Sequence, residues 1–230
     1  RNTCLICLKM KNRRLFHVYP EKYRQLLFVL VFTFLATPFL SHGLGEILLG
    51  LMLFYTLIAI LQMIELPRKF LSVYIVVAVL AFSLQTLAVL NIFPSLDRGL
   101  GIAIEGIYAL YLGGAAYWIS DDIFKNPKAS LDTVRGGVSV YLLLGFVWAL
   151  LYGIVSLLDM HAFSPSLILD DSLLTAMHFS FTTLTTLGYG DIVPKSPLAL
   201  VLTNLEAIAG QMYSTIFIAI LVGGYLARRP

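Results

Sequence analysis

The sequence predicts an all-α membrane protein: six transmembrane helices, with a re-entrant helix and an extended segment between the fifth and the sixth. Three observations lead there. Hydrophobic residues make up 59% of the 230 and charged residues 13%, about half the charged share of an ordinary soluble domain. Five segments carry no Asp, Glu, Lys or Arg: Gln25 to Gly45, Ile47 to Ile64, Phe70 to Leu96, Gly136 to Leu158 and Ala207 to Ala227. A sixth, Gly99 to Ser120, is interrupted only by Glu105. Each approaches or exceeds the roughly 20 residues that a helix needs to cross a hydrocarbon core of about 30 Å. Finally, Asp159 to Pro197 is too long for a simple hairpin loop and too mixed for another crossing.

Orientation follows from the basic residues. An N-terminus in the cytosol puts fourteen of the sixteen Lys and Arg inside and leaves Arg98 and Lys195 outside, a strong bias under the positive-inside rule. The chain is thus expected in the cell membrane, multi-pass, with both termini cytosolic. The net charge of +3 then reads as a topology signal, so membrane lipids are expected partners and nucleic acid is not. The first span follows a basic stretch but has no small-residue cleavage site after it, and five more spans follow, so it reads as retained. Opening on Arg1 rather than Met, the natural protein is expected to be longer at one or both ends. Cys4 and Cys7 form a lone C-x-x-C without a second ligand pair nearby, which favours free reduced thiols over a zinc site.

Four regions are expected: a basic cytosolic segment over 1–24, a four-helix transmembrane domain over 25–120, a cytosolic linker over 121–135 and a further domain over 136–230. The linker "DDIFKNPKASLDTVR" is polar and holds Pro127 at its middle. Among the outer loops, Pro94 and the Asp97-Arg98-Gly99 run mark a turn. The fourth span has no Arg or Lys between Gly99 and Ser120. Since each charge moved through 100 mV yields only about 2.3 kcal/mol, the front domain lacks the arginines a voltage sensor needs. Glu105 is expected to pair with polar partners inside the front half, and Glu46 to sit at the interface.

In the rear domain an outer helix precedes a short helix predicted over 172–185, with Asp170, Asp171 and Ser172 as N-cap chemistry. At 1.5 Å per residue it reaches roughly 21 Å, too short to span. Ser196-Pro197 opens an inner helix over 197–227. Between them lies "TLGYG", Thr186 to Gly190. Non-helical backbone at membrane depth is tolerated only where protein buries it or water reaches it. Gly188 and Gly190 take positive φ cheaply and can turn successive carbonyls to one side. Four such strands around an axis would stack oxygen rings from Thr186, Leu187, Gly188 and Tyr189, with the Thr186 hydroxyl below, and such rings replace a cation's hydration shell.

The run Thr185-Thr186-Leu187-Gly188-Tyr189-Gly190-Asp191 resembles the T-x-G-Y-G-D filter of the potassium channel family, with Leu where Val is commoner. By average residue usage, T-x-G-Y-G arises by chance in a chain this long on the order of once in several hundred. The likeness covers about Val134 to Arg229, strongly at the filter and weakly before it. It implies a homotetrameric pore in which Thr186 to Gly190 form the selectivity filter, K⁺ binds at Thr186, Leu187, Gly188 and Tyr189, and no organic cofactor is needed. Asp191 would lie at the outer mouth and raise local cation concentration. Phe179 and Phe181 would brace Tyr189, and Thr182, Thr183 and Thr185 would support the filter from the short helix. Thr182 stands where some members carry an acid paired with the mouth Asp. An intramembrane acid is a functional candidate, and Glu206 is expected to bond hydroxyls behind the filter, such as that of Thr183, or else to face a watery cavity. Gly210 is a hinge candidate for gating, with close packing as the alternative reading and Gly223-Gly224 as a competing hinge. His178 reads as a buried hydrogen-bonding residue or a proton sensor; His42 and His161 fall in outer loops.

The reading is therefore a potassium-selective channel, not voltage-gated through an arginine helix. Rival readings are a nonselective cation channel, which would replace the aromatic of Tyr189 with an acid, and a membrane subunit of a potassium transporter, which usually keeps one filter glycine and carries four pore repeats. No metal-ligand cluster and no set of nucleophile, base and orienter marks an enzyme.

Overall fold

The structure, a computed structural model, describes residues 23–40, 44–63, 68–90, 97–125, 130–167 and 172–226. Cys4, Cys7, His42, Pro94, Pro127, Asp170 and Asp171 lie outside the described residues, as does the side chain of Glu46. Seven α-helices run through the described residues: α1 Arg24–Ala36, α2 Leu44–Met63, α3 Arg68–Val89, α4 Asp97–Lys125, α5 Leu131–Leu158, α6 Ser172–Leu184 and α7 Pro197–Leu226. A 3-10 turn, Thr37–Phe39, extends α1. One departure from an all-α fold is a two-residue pair, β1 Phe163–Ser164 antiparallel to β2 Val193–Pro194.

Among the described residues three helices are long and apolar enough, by length and composition, to cross a membrane: Arg98–Lys125, Leu131–Leu158 and Pro197–Gly224. Shorter apolar helices over Arg24–Phe39, Ile47–Leu61 and Ile75–Val89 stand where the first three spans are expected. The flanks of the expected linker are helical, with α4 continuing to Lys125 and α5 starting at Leu131. The physical reason is local. Lys125 pairs with Asp121 one turn back at 2.7 Å, and Ser130 caps α5 by accepting the Thr133 N–H at 3.1 Å.

Buried side chains of α1, α2, α4 and α5, among them Leu26, Leu57, Leu112 and Leu143, share one core. Hydroxyls on these greasy helices turn back to their own backbone: Thr33 donates to the Val29 carbonyl at 2.9 Å and Thr56 to the Leu53 carbonyl at 2.6 Å. That satisfies them without water. Tyr108 of α4 donates to Gln85 of α3 at 2.9 Å, and Gly50 lets α2 approach the same Gln85. At one end of the bundle Tyr23 ties three helices together. Its N–H donates to Asp132 at 3.1 Å and its hydroxyl to Asp122 at 2.5 Å. Burial, then the bond to Asp122, pushes that phenol's pKa well up.

The front half reaches the short helix directly. Phe34 of α1 meets Phe181 of α6 edge to face at 4.8 Å between ring centres.

Candidate functional site

The ends of the α5-to-α7 module are drawn together before the site is built. The Ala162 carbonyl accepts the N–H groups of Lys195 and Ser196 at 2.7 and 3.2 Å, and the β1–β2 pair lies beside them. Ser196 then caps α7, accepting the Ala199 N–H at 3.2 Å, with Pro197 in the first turn where its missing N–H costs nothing. These anchors hold α6 and the segment after it between two long helices.

At the end of α6 the chain turns out of the helix by local bonds. Thr185 N–H donates to Phe181, Thr186 N–H to Thr183, and the N–H groups of Leu187 and Gly188 both to the Thr182 carbonyl at 2.8 and 3.1 Å. The following backbone alternates: φ is +59° at Thr186, +55° at Gly188 and +78° at Gly190. The two glycines meet this geometry without strain. Thr186 does not, and its left-handed backbone, on the order of 1–3 kcal/mol unfavourable, is the position that glycine counting misses. Gln211 of α7 holds it, its Nε2 donating to the Thr186 hydroxyl at 3.1 Å. Leu187 and Tyr189 are exposed on the single chain, and nothing lies within 4 Å of a Cβ built on either glycine. The negative end of the α6 dipole lies at the start of this segment, which favours a cation there.

Several side chains stand elsewhere than the sequence places them. Phe179 packs edge to face on Tyr152 and Phe163 at 5.0 and 5.3 Å, and Phe181 on Phe34 and Phe146. Neither ring meets Tyr189 among the described residues, because α6 turns its aromatic face toward α5 and α1. Tyr189 instead stacks on His178, centroids 5.9 Å apart and planes within 10°. His178 is half-exposed rather than buried, and its Nε2 lies 2.7 Å from the Asp191 carboxylate. That bond, more than any other, lowers the Asp191 pKa below its ordinary value. Sequence reading weighed His178 as a proton sensor but did not pair it with the mouth acid thirteen residues on. Thr182 and Thr185 donate to carbonyls of their own helix, Phe179 at 3.0 Å and Phe181 at 2.6 Å.

Glu206 is fully buried, and its partners are Ser180 of α6 at 2.6 Å and Tyr152 of α5 at 2.5 Å, not Thr183. Spacing explains the difference: Ser180 lies on the face of α6 toward α7, where its hydroxyl also donates to the Gly145 carbonyl. Gly210 lies against the Leu184 carbonyl, so close that a Cβ would overlap it, and α7 runs unbroken through it. It allows α7 to pack closely on the end of α6. The same carbonyl accepts the Tyr141 hydroxyl at 3.1 Å. Glu105 packs on α5: a Cβ at Gly153 would sit 2.5 Å from its Oε2, which has no hydrogen-bond partner among the described residues.

The geometry therefore offers an extended segment with alternating handedness, carbonyl-rich, framed by a helix C-terminus and an acid. Residues 137–223 match a protein-family model described as "Ion channel". No curated protein and no solved structure matches the chain.

Proposed function

From a chain whose residues 137–223 match the ion channel family model and whose described residues hold three helices long and apolar enough to cross a membrane, we propose a potassium-selective channel built from four copies. In this reading K⁺ is the cargo, moving passively down its gradient. The observation that carries it is the alternation of left-handed backbone at Thr186, Gly188 and Gly190. Such alternation turns the carbonyls of Thr186 to Tyr189 to a common side, where four copies would stack them around an axis. Gln211 fixes the Thr186 hydroxyl at the inner end, and Asp191 supplies negative charge at the outer end.

Six spans, with both termini cytosolic, agree with the charge bias. Steep voltage gating through the fourth span has no Arg or Lys between Gly99 and Ser120 to act on. The front domain instead supports the pore mechanically, through the Phe34 ring on Phe181 and the core shared with α5.

Rubidium uptake by proteoliposomes loaded with K⁺ tests the reading. Uptake driven by the K⁺ gradient and undiminished by external Na⁺ is expected. Equal competition by Na⁺ would favour a nonselective pore, and saturable slow uptake would favour the transporter subunit.

A further inference from the structure

Glu206 is fully buried among two hydroxyls, with no cation bonded to it among the described residues. Ser180 Oγ lies 2.8 Å from the Gly145 carbonyl and 2.6 Å from Glu206 Oε1. A serine hydroxyl carries one proton, and a carbonyl can only accept. Ser180 can serve one of the two oxygens. If Glu206 were a carboxylate, Ser180 and Tyr152 could both donate to it and the Gly145 carbonyl would keep the bond of its own helix, but the charge count would not close: an anion would stand fully buried with no cation bonded to it among the described residues, which is costly away from water. A single proton on Oε1 resolves the count: Tyr152 donates to Oε2, Oε1–H donates to Ser180, and Ser180 donates to Gly145.

We propose that Glu206 is a neutral carboxylic acid that latches α7 to α5 and α6 behind the extended segment, with Ser180 and Tyr152 as positioning residues. The surroundings agree. Facing groups from α5 are Tyr152 and Tyr141, the latter bonded to the Leu184 carbonyl. On α6 the nearest titratable side chain, His178, is engaged by Asp191. On α7 itself Tyr213 donates to the Gly137 carbonyl. No Lys, Arg or His bonds the Glu206 carboxyl among the described residues. Removing the proton leaves a buried charge with two hydroxyls and no cation, so alkalinisation favours arrangements that let water reach Glu206 and loosens α7 from α6 behind the filter segment.

The latch's effect on conduction rests on the channel reading; its protonation does not. The test uses the full chain in liposomes. An infrared spectrum of the wild type is expected to show the carbonyl stretch of a protonated carboxylic acid that Glu206→Gln removes. An amide can donate and accept as the neutral acid does, so Glu206→Gln is expected to keep rubidium uptake within about twofold, while Glu206→Leu loses about tenfold or more. Uptake by the wild type falls on alkalinisation; uptake by Glu206→Gln does not. No band lost on Glu206→Gln, or uptake lost in that variant as fully as in Glu206→Leu, overturns the proposal. Because the band is read without conduction, a silent protein that still shows it supports the proton assignment and counts against the channel reading alone.

Discussion

α5 and α7 are nearly matched in length, 28 and 30 residues, and in apolar character, yet half of the apolar window of α5 is buried inside the chain and only 11% of that of α7. The outer helix spends its surface on its own subunit, packing on α4, α1 and α6. The inner helix leaves a stripe of Val201, Leu205, Ile208, Met212 and Ile216 exposed. Their spacing of three to four residues puts them on one face. Such a face is left for neighbours outside the chain, and the four-copy pore proposed above would supply them.

Four experiments break or sharpen that contrast. The largest effect is expected from Gly188→Asp, which places a side chain and a charge where φ is +55°: rubidium uptake is abolished while the helical content by circular dichroism is kept. Next is Ile208→Asp on the exposed stripe, which is expected to give a smaller species than the wild type in detergent by light scattering, with uptake lost in parallel. Smaller, and confined to the subunit, is Gly137→Ala. There a Cβ would overlap the Phe217 ring where α5 and α7 meet, so a cost of about 1–3 kcal/mol is expected in detergent unfolding. Gly223→Ala, with nothing within 4 Å, is its control and is expected to be neutral or slightly stabilising.

The smallest effect concerns Asp191. Its pKa is lowered in the folded chain, chiefly by His178. The stabilisation it contributes is therefore present above the ordinary carboxylate range, near pH ~4, and is lost as pH falls through the lowered folded value. Melting temperature against pH should show that acid-side loss in the wild type, and Asp191→Asn should lack it.

The rear half was more legible than the front because its signals are local. T-L-G-Y-G needs no partner to be recognised, and a 14-residue apolar stretch ahead of it can only be a short helix. Ser196-Pro197 marks a helix start by backbone chemistry alone. What stayed hidden depends on side chains far apart in sequence. Glu206 meets Ser180 and Tyr152 across 26 and 54 residues, and nothing in an apolar helix tells which of its few hydroxyls will face a given acid. Phe179 and Phe181 were read from the filter's needs, whereas the face of α6 they occupy is set by α5 and α1. The helical flanks of the expected linker carry no apolar signal, because an i,i+4 ion pair and a serine cap are what extend both helices into it. The left-handed Thr186 carries no composition signal at all.

The measurement that bears most directly on the central claim is the reversal potential of the purified protein in a planar bilayer under a bi-ionic K⁺/Na⁺ gradient. Carbonyl rings from Thr186 to Tyr189 predict a value near the potassium limit. A value near zero would contradict a potassium-selective filter.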